Sequence, residues 1–261
     1  MGKNLVIKLN KKTHETMKND PFFEGLGKYK KVIVFSSHLD DAVLSTGSLI
    51  SYLGRKKIDI QVCSIFTKAQ EGRSQSIDTI LMRAGFKDSK TYIQARKDED
   101  KKALRSLGVT AFKHLDFIDA AWRIDENGEH LYPSSQIGTV SGLDQNIRNE
   151  VEAKIEAYTS LYSNAVFLAP LARGNHIDHQ IVRDAVTKIL NNVVYYEDFP
   201  YSGKFDNQDS FINEQMLGKH VFSSALEEKK DAILLYKTQQ ESFRVFLDGS
   251  FLLSEETYYS A

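Results

Sequence analysis

Short apolar runs alternate along this chain with longer stretches whose apolar positions recur at helical spacing. Lys31 to Ser37 (KVIVFSS) is a continuous run of the kind expected of a strand buried on both faces. From Asp41 to Leu53 the apolar residues Val43, Leu44, Leu49, Ile50 and Leu53 fall near a 3.6-residue period, which predicts a helix. The same reading gives strands at Ile58–Thr67, Phe112–Ile118, Ala165–Pro170 and Val193–Glu197. It gives helices at Gln94–Leu107, Leu143–Tyr162, Asp178–Leu190 and Ser224–Ser242. Strands alternating with helices predict an α/β fold that is Rossmann-like: a mostly parallel sheet with helices on both faces. In such sheets the active site lies at the carboxyl ends of the strands, here just after Ser37 and just after Pro170. Two polar stretches, Ala69–Ser89 and Asp125–Gly142, read either as surface loops or as lids over that edge.

Composition narrows the picture. Residues 1–261 suit a single domain. Lys plus Arg is 34 and Asp plus Glu is 35, so the net charge of -1 gives no reason to expect nucleic acid as a partner. No run approaches the ~18 apolar residues of a membrane span, and Met1–Pro21 lacks the apolar core of a secretory signal, which predicts a cytoplasmic protein. The lone Cys63, inside an apolar run, predicts a core thiol and excludes a cysteine-rich metal site. The turn after the first strand is Ser37-His38-Leu39-Asp40-Asp41, not a glycine-rich phosphate loop, and its carboxylates would repel a pyrophosphate. Oligomeric state is left open, a homo-oligomer included.

The candidate chemistry sits on the two strand ends. Imidazole and carboxylate are good zinc ligands, and a catalytic zinc typically takes three protein ligands. His38-Leu39-Asp40-Asp41 supplies such groups on a tight turn, where one carboxylate can bind metal while its neighbour faces the reacting water. His176-Ile177-Asp178-His179 opens a helix, so His176 and His179, three apart, can address one site. Asp41 and Asp178 also read as simple helix caps. Both clusters following buried strands favours the site reading.

These residues resemble the PIG-L, or LmbE-like, deacetylases. His38-Leu39-Asp40-Asp41 is similar to the family's His-Pro-Asp-Asp motif and His176-Ile177-Asp178-His179 to its His-Pro-Asp-His motif, within a branch that includes glycopeptide-antibiotic deacetylases. Similarity runs on through Arg96–Gly108, Leu115–Arg123, Tyr195–Tyr201 and Tyr236–Gln239. Leu39 and Ile177 replace the usual prolines, and Ala42 stands where many members carry Glu. The resemblance implies an enzyme that hydrolyses the N-acetyl group of a small-molecule amino sugar or glycoconjugate. It implies Zn2+, or another divalent metal, held by His38, Asp41 and His179. It implies Asp40 as general base and His176 as oxyanion stabiliser, with Asp178 raising the pKa of His176. Arg96, Asp119 and Arg123 are implied as substrate-binding residues, with structural ion pairing the competing reading. Glu197 and Asp198 read as rim residues or loop ties, and Trp122 and Tyr201 as sugar-stacking or packing groups. The alternative function on the same fold is a metal-dependent hydratase of an unsaturated acid, for which Arg73, Arg83, Arg96 and Arg123 supply candidate cations.

Overall fold

The computed structural model describes residues 20–109, 111–201, 209–243 and 255–261. The chain runs through α1 (Pro21–Leu26), β1 (Lys31–Ser36), α2 (Asp41–Arg55), β2 (Asp59–Lys68), α3 (Gln75–Ala84), α4 (Ser89–Ser106) and β3 (Ala111–Ile118). It continues with α5 (Gln145–Leu161), β4 (Ala165–Pro170), α6 (Ile177–Ile189), β5 (Val193–Tyr196) and α7 (Asp209–Glu214), then β6 (Gly218–Phe222), α8 (Leu226–Ile233), α9 (Gln240–Phe243) and β7 (Glu256–Ser260). The seven strands form one sheet in the order β3-β2-β1-β4-β5-β7-β6. The first five are parallel, and β7 and β6 extend the sheet antiparallel. The α/β, mostly parallel architecture expected from the alternation is therefore present.

The two-residue period of a strand sorts its side chains between two cores. Val32 and Val34 of β1, Val62 of β2 and Leu168 of β4 join one apolar cluster with Leu49, Leu53, Leu104 and Ile233 from the helices on that face. Ile33 and Phe35, Cys63 and Phe167 point the other way, into a cluster with Ile155, Ile181 and Val182 of α5 and α6. Cys63 is wholly buried there, as its apolar setting predicts. β1 and β4 lie side by side, Lys31 to Val34 pairing with Ala165 to Leu168, and the strand order reverses between them. The two motif turns thus emerge next to each other at the topological switch point, where such sheets bind ligands.

Three expectations need correction. The polar stretch Ala69–Ser89 contains a helix, α3, capped by the Ser74 side chain accepting from the Ile77 N–H and ended by Gly85 in the left-handed conformation (φ 75°). Helix α4 begins at Ser89, not Gln94, because Asp88 caps it through the Thr91 N–H. The long helix expected over Ser224–Ser242 is broken into α8, a 3-10 turn at Lys237–Gln239 and α9. The Thr238 N–H is drawn to the Glu99 carboxylate and the Tyr236 hydroxyl donates to Asp100, so the chain turns there to meet α4.

The last strand is pinned into the body of α2. Glu256 accepts from the N–H groups of Ser48 and Leu49 (2.8 and 3.0 Å) and from the Tyr258 hydroxyl (2.7 Å), and pairs with Lys229 at 3.0 Å. Both charges are buried. Gly47 permits this approach, since a Cβ there would lie 3.1 Å from Lys229 Cγ. Removing one partner strands the other charge, so Glu256→Ala is expected to cost about 3–5 kcal/mol of folding free energy, read from the shift in denaturant midpoint at constant slope.

Candidate active site

The first motif turn is held by short-range hydrogen bonds. Ser36 Oγ donates to the His38 carbonyl (2.7 Å) and accepts from the Ala42 N–H (3.0 Å), folding the chain back over the end of β1. Asp40 takes φ 138°, a conformation that costs a non-glycine residue of order 1–3 kcal/mol. Its carbonyl accepts the first α2 bond from Leu44 (2.8 Å). Asp41 opens α2, where the helix dipole favours a carboxylate. The second turn leaves β4 through Ala172, Gly174 and Asn175, all at positive φ. Gly174 is needed for contact as well, because a Cβ there would fall 2.7 Å from the Tyr201 ring. His176 is itself the cap of α6, its Nδ1 accepting from the Asp178 N–H at 3.2 Å, and His179 lies on the first turn beyond it.

Three donor atoms from the two turns converge. His38 Nδ1, Asp41 Oδ2 and His179 Nε2 are mutually 3.1–3.2 Å apart. Ligands about 2.0–2.1 Å from a tetrahedral zinc are separated by about 3.3–3.4 Å, so the spacing and the donor set suit such an ion. Each imidazole is also held from behind by a carboxylate: His38 Nε2 meets Asp178 Oδ2 at 2.9 Å and His179 Nδ1 meets Asp198 Oδ1 at 2.5 Å. That is the usual way a metal-ligating histidine has its tautomer and ring orientation fixed. A second group, His38, Asp119 and Asp178, is less suited, because Asp178 already accepts from Arg123 (2.5 Å), the Ala120 N–H (2.9 Å) and His38.

Charge follows the packing. Burial opposes the Asp41 charge, but His179 and His38 hold its carboxyl well below the usual range. Burial likewise opposes protonation of the two histidines. Even so, Asp178 and Asp41 hold His38 well above its ordinary value, and Asp41 and Asp198 bring His179 to about 9. Asp40 is pushed up to about 7 by burial, against the pull of Arg96, whose Nη2 donates to it at 3.0 Å and to the Leu39 carbonyl at 2.7 Å.

The cavity at these turns is about 370 Å³. His38, Asp40, Asp41, His176, His179, Arg96 and Asp119 all reach it, with Leu44, Ile80, Phe199 and Tyr201 as its apolar wall and Arg83, Gln136 and Gln239 also lining it. Both polar stretches contribute, Ile80 and Arg83 from α3 and Gln136 from the 125–142 segment, whose Gln136 carbonyl accepts from the Ile177 N–H.

Several sequence readings are corrected by this geometry. The Asp178 carboxylate bonds His38 and not His176, and its charge, which does act to raise the His176 pKa, is outweighed. With that carboxylate committed to Arg123 and His38, burial and the neighbouring His38 and His179 push His176 well below its ordinary pKa. Arg123 lies behind Asp178, off the cavity, between the Phe66 and Tyr132 rings, which is the structural ion-pair reading. Trp122 is fully buried, its Nε1 donating to Ser89 at 2.7 Å, and stacks on Tyr92. Asp198 is neither at the rim nor a mere loop tie; it orients His179. Gln239 ends the Tyr236–Gln239 stretch of family similarity, which carries no site role in the sequence, and nothing in the local spacing marks Gln136.

The PIG-L family model, described as GlcNAc-PI de-N-acetylase, matches residues 33–190, which is more than half of the chain. The chain belongs to this family. A 2'-N-acetylparomamine deacetylase of Streptomyces fradiae is 28% identical to this PIG-L chain over 184 residues, 69% of the chain and 60% of that protein. The chain therefore spans about three fifths of the length of that curated relative. Among solved structures, the zinc-inhibited form of a teicoplanin deacetylase superposes with TM-score 0.72 at 24% identity, covering 88% of this chain and 98% of the other. A deacetylase–teicoplanin complex superposes with TM-score 0.71 at 23% identity, covering 88% and 97%. At that identity the two structures establish that this PIG-L chain shares their fold. No helix among its described residues is long and apolar enough to cross a membrane.

Proposed function

We propose that this PIG-L protein is a zinc-dependent deacetylase that hydrolyses the N-acetyl group of an amino sugar or small glycoconjugate. The observation that carries the reading is the triangle of His38 Nδ1, Asp41 Oδ2 and His179 Nε2 at 3.1–3.2 Å, with the Asp40 carboxyl beside it on the same cavity. Family membership and the deacetylase relative support it. Zinc, when bound, supplies Lewis acidity toward an amide carbonyl and toward water. The chain's own residues do the rest. Asp40 takes the proton of the attacking water and returns it to the departing amine. His176 donates Nε2–H to the developing oxyanion, because Nδ1 is engaged as an acceptor. Asp119 Oδ1 accepts from the Ala121 N–H, and Oδ2, 3.7 Å from His38 Nε2, is the oxygen that would accept from a substrate hydroxyl on the cavity. Tyr201 and Phe199 offer flat apolar surface to a sugar ring. The test is acetate release by zinc-loaded protein from a panel of N-acetylated amino sugars; a panel without turnover sinks the proposal.

The hydratase alternative is the weaker reading on the geometry. It calls for several cations around the substrate's carboxylates. Of the four arginines in question, Arg123 lies behind Asp178 and Arg73 is outside the cavity and paired with Asp78 at 2.6 Å. Arg96 is spent on Asp40 and Leu39, which leaves Arg83.

Two expected results follow from the metal reading. His38 and His179 both carry a proton near pH 7 in the metal-free protein, since His38 is held well above its ordinary pKa and His179 at about 9. Metal must displace one proton from each. Affinity should therefore rise with pH through about 9, where His179 gives up its proton, and calorimetry in buffers of different ionisation heat should register the release. Asp198→Asn replaces the carboxylate behind His179 and should weaken metal binding by about 10–100-fold, measured by competition with a chelator.

A further inference from the structure

A second cavity lies on the far side of the α3–α4 pair from the candidate active site, between the 69–73 loop and the start of α4. At about 830 Å³ it is more than twice the volume of the first. The two helices form a shared wall. Ile80 and Arg83 of α3 and Tyr92 and Arg96 of α4 face the first cavity, whereas Leu81, Ile93 and Lys97 face the second. Its floor is apolar, built from Ala69, Leu81 and Ile93, and its rim is cationic.

Counter-charges do not cancel that rim. Arg73 is paired with Asp78 and Lys97 with Asp116 (2.6 and 2.5 Å), and Asp88 is occupied as the α4 cap. Lys68, Lys87 and Lys90 make no ion pair among the described residues, and they outnumber the two lining carboxylates left to face them, Glu71 and Asp88, the second of which already feels the Lys90 charge. Like charges gathered around a concave, low-dielectric surface raise the local concentration of anions, and lysine ammonium groups are suited to phosphate as point charges. The apolar floor and the volume exceed what an inorganic ion fills. We propose that this cavity binds an organic phosphate, its phosphate on Lys68, Lys87 and Lys90 and its carbon body on Leu81 and Ile93. The site goes beyond the deacetylase reading and does not depend on it.

The chain's single tryptophan reports on it. Trp122 donates from Nε1 to Ser89 and its carbonyl accepts from Gln70 Nε2 at 2.6 Å, and both partners line the second cavity. Titration of the full-length protein with adenosine diphosphate and with glucose 6-phosphate should change Trp122 emission saturably, and adenosine and glucose should not. Lys87→Glu with Lys90→Glu should weaken binding by about 10-fold or more, through loss of charge-assisted contacts, and Lys68→Gln alone should weaken it less. Deacetylation of an uncharged substrate should be unchanged in both. Arg83→Gln, on the other cavity, should leave the titration intact. Four results would overturn the proposal: no saturable binding of either ester to the unmodified protein, binding indifferent to the lysine substitutions in folded variants, inorganic phosphate binding as tightly as the esters, or loss of the signal in Arg83→Gln.

Discussion

Asp40→Asn is expected to lower kcat for acetate release by about 10²–10⁴-fold, the usual worth of a general base, with metal content unchanged. Asp40 reaches the cavity but is held by Arg96, not by the His38–Asp41–His179 triangle, so its loss removes a proton acceptor and no ligand. Asp41→Asn and His179→Ala should do the reverse and lose metal, because each takes an atom from the triangle. The pH profile carries a second signature. Burial pushes Asp40 up to about 7 although Arg96 opposes it. A base works only when deprotonated, so activity should climb with rising pH through the Asp40 pKa. A cation bound at the neighbouring Asp41 favours the ionised carboxylate, which sets that acidic limb below 7. In Asp40→Asn the limb should disappear from whatever activity is left. Metal content and residual rate measured on the same preparations decide the matter; an Asp40→Asn protein that loses metal while Asp41→Asn keeps it would exchange the two roles.

The elements that carry the motifs were readable because local pattern and burial agree in them. Val32 to Phe35 and Val166 to Ala169 are apolar at every position, and strands covered on both faces must be. What eluded the reading depended on distant partners or on quieter signals. Helix α3 has a legible Ser74 cap, a Gly85 stop and an apolar Ile77–Leu81 pair, but its low overall hydrophobicity resembles a loop. The break at Lys237–Gln239 follows from Glu99 and Asp100, more than 130 residues away, which no local periodicity records. Of the strands beyond β5, β6 has a weak, mostly exposed pattern and β7 depends on pairing with both neighbours. At the site, residue types on the two turns were readable, and their pairings were not. That Asp178 backs His38 across 140 residues, and that Asp198 backs His179, are facts of tertiary contact.

His176 is the residue whose chemistry the fold changes most. Read from spacing and family resemblance, it is an oxyanion stabiliser whose pKa Asp178 raises toward the imidazolium form. In the structure its Nδ1 accepts the Asp178 N–H, so the proton of the neutral ring sits on Nε2. Burial, reinforced by His38 and His179, pushes its pKa well below the ordinary value, and a metal cation in place of those protons acts in the same direction. His176 is therefore a neutral donor throughout the working range. Removing it should cost about 10²–10³-fold in kcat, as for other single oxyanion donors, and should leave metal content and both limbs of the pH profile where they were. Because His176 also caps α6, His176→Ala alone would mix in a cap loss of about 0.5–2 kcal/mol. His176→Asn separates the effects: asparagine is a good cap and can accept the same N–H, yet it is too short to reach the oxyanion. The two variants should lose kcat equally and differ in thermal stability. Near-normal turnover in His176→Asn would assign His176 to capping alone, and an alkaline limb that moves in either variant would restore the imidazolium.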